Sequence, residues 1–205
     1  MPKERYRAKW VKFGEVLKTG YRPDTLEDVF KVVQRKLCGQ FLAEAQSLWD
    51  IIREDGNIES IGEVGRNLGG GLFMLCCAAK NLKRVCSVDI SSVPEVDEGL
   101  KAWFEINGIE AEIITCNSSE YKPTGMYDFV YIDGEHTGPG VRADIENWRE
   151  HARLIGFHDY ADKGYNKHKR EFPDVVKEIT DASIRYGWQQ IGKRGKSEVV
   201  FNVPV

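Results

Sequence analysis

The chain has 205 residues, 41% of them hydrophobic, which is enough for one sizeable core and within the usual size of a single domain. A formal net charge of -3 argues against a bulk nucleic-acid partner, because binding a polyphosphate needs a basic surface that displaces counterions. No apolar stretch approaches the roughly 18 residues that a membrane helix needs, and the basic start is not followed by a signal-peptide core, so a soluble, cytoplasmic protein is expected.

Residues 1–21 are basic and aromatic without clear periodicity, the profile of an arm that is either solvated or ordered only against something else. From Asp24 the apolar residues Leu26, Val29, Phe30, Val33, Leu37, Phe41, Ala45, Leu48 and Ile52 recur at helical spacing. Asp24 followed by Glu27 reads as a capping box, Asp55-Gly56 as the stop, and Gly39 as a break between two helices. Residues 1–56 are therefore expected to form an arm and helical extension, and residues 57–205 the catalytic unit. Trp49 on this helical stretch offers a surface for a second subunit, which leaves a homo-oligomer open.

After Gly56 the rhythm is strand, turn, helix. Strands are expected at 58–64, 84–90, 111–116, 127–133 and 153–157, with helices at 72–79, 96–107, 141–151 and 172–186 between or after them. Two closing strands, 188–191 and 198–203, lie only a few residues apart around Gly192 and must pair antiparallel, since a parallel pair needs a crossover of a dozen or more residues. This pattern implies an α/β fold with a doubly wound, mostly parallel sheet of seven strands. Five cysteines, Cys38, Cys76, Cys77, Cys86 and Cys116, form no C-x-x-C pair and read as reduced core residues.

The chemistry gathers at strand ends, where ligands bind in open α/β sheets. The first strand runs into a turn rich in glycine, Gly65, Gly69, Gly70 and Gly71, where a backbone can approach a ligand closely. It is not the dinucleotide fingerprint, because Asn67 stands at the second glycine position. Asp89 closes the next strand about 20 residues on, where a carboxylate accepts hydrogen bonds from a ribose. Asn117 and Ser118 end the third strand and are suited to a base edge, although turn formation explains them almost as well. The fourth strand ends in Asp133, Gly134, Glu135 and His136, and the fifth in His158 and Asp159, so two strand ends each bring a carboxylate and an imidazole to one crevice. Any one of these groups alone reads as a cap or a satisfied core residue; the two constellations together read as a site. Asp144, one turn before Trp148 on the following helix, reads as an exposed helical carboxylate, and the basic run Lys167 to Arg170 as a solvated loop.

These residues, and above all the run YDFVYIDGEHTGPGVRADIENW from Tyr127 to Trp148, resemble the class I S-adenosylmethionine-dependent methyltransferases, in the branch that carries an I-D-G-x-H segment and includes small-molecule and sugar O-methyltransferases. The resemblance spans residues 58–160 and departs from the usual pattern at Arg153 to Phe157, where Gly156 stands without the adjacent glycine common in the family. It implies that Glu63, Gly65 and Gly69 line the methionine part of S-adenosylmethionine, that Asp89 holds the ribose, and that Asn117 and Ser118 flank the adenine. It implies further that Asp133 and Asp159 can hold a divalent metal such as Mg²⁺, with His136 or His158 as the base that prepares a hydroxyl of a small-molecule acceptor, a sugar or other hydroxylated compound. The competing readings are a nicotinamide-dependent oxidoreductase, which the missing second glycine disfavours, and a non-catalytic nucleoside-binding or scaffold protein.

Overall fold

The computed structural model describes residues 7–38, 42–160, 172–192 and 198–204, with the side chains of 34–38 outside that description. The basic run 167–170 and the turn residues 193–197 lie outside the described residues. The strands are β1 (Ser60–Val64), β2 (Arg84–Asp89), β3 (Glu110–Thr115), β4 (Tyr127–Ile132), β5 (Ala152–Phe157), β6 (Gln189–Gly192) and β7 (Val199–Asn202). They form one sheet in the order β3-β2-β1-β4-β5-β7-β6, parallel from β3 to β5 and antiparallel where β7 pairs with β5 and β6. The doubly wound sheet with its closing hairpin is the architecture expected from the strand and helix rhythm.

Burial explains the central strands. In β1, β2, β4 and β5 all but one residue of each is buried, because helices cover both faces of a parallel sheet. The edge strand β3 has no buried residue and the hairpin strand β6 only one. Along β4, Phe129 and Tyr131 join a core that includes α2 (Leu26–Cys38), α3 (Leu42–Asp55), α4 (Gly70–Ala78) and α5 (Pro94–Ile106). Val130 and Ile132 join a second core with α6 (Gly138–Trp148) and α7 (Pro173–Arg185), the period-two alternation of a strand read on both sides.

Two local readings differ from the structure. The segment expected as an arm forms α1 (Arg7–Leu17), whose Trp10, Phe13 and Leu17 are buried. These three buried residues sit at helical spacing, and Gly14 lets the helix lie against α5, where a Cβ would come within 2.4 Å of the Glu95 carbonyl oxygen. The cap of α2 is Thr25, one residue later than expected: its hydroxyl accepts from the Asp28 backbone N–H at 3.2 Å and donates to the Asp28 carboxylate at 2.8 Å. Gly56, at φ +69°, follows the end of α3 as its composition suggested. Among the described cysteines, Cys76, Cys77, Cys86 and Cys116 are all free, and the first three are buried.

β1 has β2 on one side and β4 on the other, so the chain reverses its winding there. The carboxyl ends on either side of that switch point open a crevice, and every strand-end group singled out above is delivered to this edge.

Candidate active site at the strand ends

A cleft of about 540 Å³ runs along this edge. Gly65, Asp89, Asn117, Ser118, Asp133, His136 and His158 all line it. Asp159 joins through its contacts with the two histidines. Glu63 and Gly69 stand apart from the cleft wall. Glu63 is buried beneath it and accepts from the Ser87 hydroxyl at 2.7 Å. Gly69 is the N-cap of α4 at φ +74°, where a Cβ would meet Val96 at 2.8 Å.

The end of the cleft beside the glycine turn is held from below. Asp89 accepts from the Asn67 backbone N–H at 2.6 Å and from the N–H and hydroxyl of Ser91 at 2.7 and 3.0 Å, which fixes the carboxylate at the strand end. Those bonds also stabilise Asn67 in the left-handed region, at φ +48°. Arg66, only 2% exposed, points away from the cleft and pairs with Asp97 at 2.9 Å while donating to the carbonyls of Ser87 and Ile114. Its buried guanidinium ties the glycine turn to β2, β3 and α5. Burial pushes the Glu63 carboxyl up to about 7, against the opposing bond from Ser87.

Asn117 is committed to its own turn, its side-chain oxygen accepting from the N–H and hydroxyl of Ser119 at 3.1 and 2.9 Å. Ile90 is a cleft residue that the motif reading overlooked. It lines the wall while 76% exposed, a large apolar side chain next to Asp89. An apolar residue directly after a strand-end carboxylate was the available signal.

The other end is a four-membered cluster. His136 Nε2 lies 2.6 Å from Asp159 Oδ2 and 3.5 Å from Asp133 Oδ1; His158 Nδ1 lies 3.3 Å from Asp133 and 3.2 Å from Asp159. The hydrogen bonds to Asp133 and Asp159 raise His136 to about 9. Burial works to lower His158, but the charge of Asp133 and the contacts with Asp133, Asp159 and Glu44 outweigh it and hold the imidazole well above its ordinary value. Both carboxylates are correspondingly held below the usual range, the histidines overcoming the cost of burial. Asp159 adopts φ +60°, a strained conformation for a non-glycine residue that turns its carboxylate back toward both rings. Phe172 packs on His136 at 4.6 Å between ring centroids. Glu44, buried on α3, reaches His158 Nε2 at 4.0 Å, and Glu198 joins these two residues in a second group. Neither glutamate was legible as a site neighbour.

Asp133, His136, His158 and Asp159 each offer one ligand atom, all within 4.8 Å of one another. The donor set fits a divalent cation. Two carboxylates and two imidazoles suit Mn²⁺ or another borderline ion better than Mg²⁺, which prefers an all-oxygen shell.

Asp144 departs from expectation. It is 1% exposed rather than solvated, and burial pushes its carboxyl up to about 6. Helix α6 starts at Thr137, whose hydroxyl accepts from the Gly140 N–H, and turns Asp144 inward beside Val141 and Trp148.

Residues 63–160 match the family described as "Methyltransferase domain". The fold is similar to an O-methyltransferase from Bacillus cereus in complex with SAH (S-adenosylhomocysteine), with 16% identity over 90% of this chain and 92% of that one and a TM-score of 0.59. It is also similar to the SAH-bound Podospora anserina methyltransferase PaMTH1, with 11% identity over 96% of this chain and 88% of that one and a TM-score of 0.57. No curated protein matches the sequence. At these identities the likeness is one of fold, and that fold is the class I methyltransferase sheet expected above. Among the described residues no helix is long and apolar enough to cross a membrane.

Proposed function

With residues 63–160 matching the methyltransferase-domain family inside a class I methyltransferase fold, we propose that this chain transfers the methyl group of S-adenosylmethionine to a hydroxyl of a small acceptor, a sugar or another hydroxylated compound. The observation that carries the reading is the division of one cleft into two chemistries. A fixed Asp89 and an exposed Ile90 stand at one end, and two carboxylates with two imidazoles stand at the other. With three bonds already accepted, Asp89 keeps one acceptor site for a ribose hydroxyl, and the flat face of a base matches Ile90.

Transfer is an in-line displacement. The acceptor oxygen forms a bond to the methyl carbon as the carbon–sulfur bond breaks, the electron pair leaves with sulfur, and the oxygen loses its proton. The protein aligns the partners and receives that proton, and holding methyl and nucleophile at attack distance supplies much of the acceleration. His136, the more exposed imidazole of the cluster, is the base in this reading. While both carboxylates pair with it, it keeps a proton up to about pH 9. Once Asp133 and Asp159 are engaged elsewhere, its affinity for the proton falls toward the ordinary imidazole range, where it accepts one near neutral pH. Asp133, His158 and Asp159 would hold a divalent cation, which when bound supplies positive charge that makes an acceptor hydroxyl more acidic.

The test is binding first, then turnover. S-Adenosylhomocysteine should raise the melting temperature by mass action and NAD should not. Asp89→Ala should weaken S-adenosylhomocysteine about tenfold or more. Asp133→Ala should retain that affinity and lose methyl transfer from labelled S-adenosylmethionine to a panel of sugars and catechols. Binding of NAD in place of S-adenosylhomocysteine would favour an oxidoreductase and end the proposal.

A further inference from the structure

The register of the closing strands brings two charged residues face to face. β5 pairs with β7 so that Phe157 lies opposite Val199, and just past that pair His158 stands opposite Glu198. Their side chains share the face of Gly156 and Val200, and Val200 belongs to the core that α3 covers. Helix α3 adds a third group. Glu44, Leu48 and Ile52 form one buried stripe at helical spacing, so an acid stands at a position where an apolar residue would pack. Glu44 and Glu198 are each only 1% exposed.

His158 therefore lies between two groups of carboxylates. Its Nδ1 is 3.3 Å from Asp133 and 3.2 Å from Asp159, whereas its Nε2 faces Glu44 at 4.0 Å. That distance is too long for a hydrogen bond, and Nε2 makes none although it is shut off from solvent in a side chain 10% exposed. One ligand atom each from Glu44, His158 and Glu198 lie within 4.8 Å of one another. A tetrahedral zinc ion with bonds of about 2.1 Å spaces its ligands by roughly 3.4 Å, so closing on one requires shifts on the order of 1 Å. Carboxylate oxygen and imidazole nitrogen are both zinc donors, and Asp133 and Asp159 stand where a zinc-bound imidazole places its other N–H.

We infer that Glu44, Glu198 and the Nε2 of His158 form a buried cation site that takes Zn²⁺ and ties α3 to the strand pair β5 and β7. It lies across the imidazole from the cleft cluster and needs neither methyl donor nor acceptor. A neutral imidazole offers one lone pair, so zinc on Nε2 and a cleft cation on Nδ1 exclude each other.

The experiment is a calorimetric zinc titration, with melting curves, of the double variant Asp133→Asn, Asp159→Asn. This removes the cleft carboxylate charges while leaving amide oxygens that accept from Nδ1. The variant should bind one zinc per chain and melt at a higher temperature with it. Adding Glu44→Gln and Glu198→Gln, which keep size and remove charge, should weaken zinc about tenfold or more. A second measurement does not depend on how the glutamine variants fold. With an NMR-active cadmium isotope in place of zinc, the nitrogen-labelled ring of His158 should couple to the metal through Nε2. No zinc binding in the variant without cleft charges, equal binding with and without the two glutamates, or coupling through Nδ1 each overturns the inference.

Discussion

Gly65 lies so close to Asp133 that a Cβ on the glycine would sit 2.0 Å from the aspartate's carbonyl oxygen. The two residues belong to different halves of the cleft, the glycine turn after β1 and the acid-bearing loop after β4. Just past the strands, the Gly65 N–H donates to Val88 at 2.9 Å and the Asp133 N–H to Val64 at 2.8 Å, extending the ladders to the rim. Gly65 also adopts φ +92°, where a side chain is strained regardless of space. Gly65→Ala is therefore expected to lower stability by about 1–3 kcal/mol and to move the Asp133 loop. Calorimetric titration should show weakened S-adenosylhomocysteine binding, and a melting curve the loss of stability. An alanine variant with native values for both would mean that the two loops are not coupled through this contact.

Glu63 gives a pH dependence whose sign can be worked out. Burial raises its carboxyl from 4.5 to about 7 in the folded protein, while the unfolded chain keeps the lower value. Below 4.5 both states bind the proton and Glu63 has no effect on stability. Between 4.5 and about 7 the unfolded state releases its proton first, so stability falls as pH rises; above 7 the loss is complete, on the order of 3 kcal/mol. Glu63→Gln keeps an acceptor for Ser87 and removes the titration. Its melting temperature should match wild type near pH 4.5 and exceed it increasingly up to pH 7. Parallel curves across that range would show that Glu63 is ionised in the native protein.

The sheet and the two strand-end constellations were legible because doubly buried strands write near-continuous apolar runs, and polar groups that end such runs can only emerge at the rim. The pairing inside the cluster was not. His136 sits beside Asp133 in sequence but makes its shortest contact with Asp159, and that depends on the left-handed backbone of Asp159, which no side-chain pattern announces. Asp144 was misread because a carboxylate on a helix was taken as solvated. Val141, Ile145 and Trp148 surround its position on the helical wheel, so the periodicity already placed it on the buried side. The helix α1 was missed because Trp10, Phe13 and Leu17 are a sparse stripe, and their burial depends on Gly14 and on Gly99 of α5, where a Cβ would come within 2.9 Å of the Gly14 Cα.

Arg66 shows how the glycine turn is held. Its guanidinium makes two contacts with Asp97, at 2.9 and 3.2 Å, and both side chains are shielded from water. Removing one partner of a buried ion pair leaves the other charge uncompensated, so Arg66→Ala should cost about 3–5 kcal/mol. Replacing both, in Arg66→Met with Asp97→Leu, should cost much less. Chemical denaturation of the single and double variants measures the difference; equal losses in both would show that the pair contributes through its packing and not its charge.

In the cluster of Asp133, His136, His158 and Asp159 the two carboxylates favour the protonated form of both imidazoles. A divalent cation held by Asp133, His158 and Asp159 must displace the His158 proton and draw both carboxylates away from His136, which sets three expectations. Affinity should rise with pH from about 6 to about 9, as His136 gives up its proton more readily. Mn²⁺ should bind more tightly than Mg²⁺, because imidazole nitrogens suit the borderline ion. Asp159→Asn should weaken Mn²⁺ by about tenfold or more, since it removes a charged ligand while asparagine tolerates the left-handed backbone that Asp159 adopts at φ +60°. Calorimetric titration of Mn²⁺ at several pH values reads all three without requiring turnover, with released protons visible as a buffer-dependent heat. Equal Mn²⁺ affinity in wild type and Asp159→Asn would place any cation elsewhere and leave the four groups as a proton-holding network. Methyl transfer would then have to rely on the carboxylates and His136 alone, and its rate should rise with pH through about 9, the range in which the paired imidazole becomes neutral.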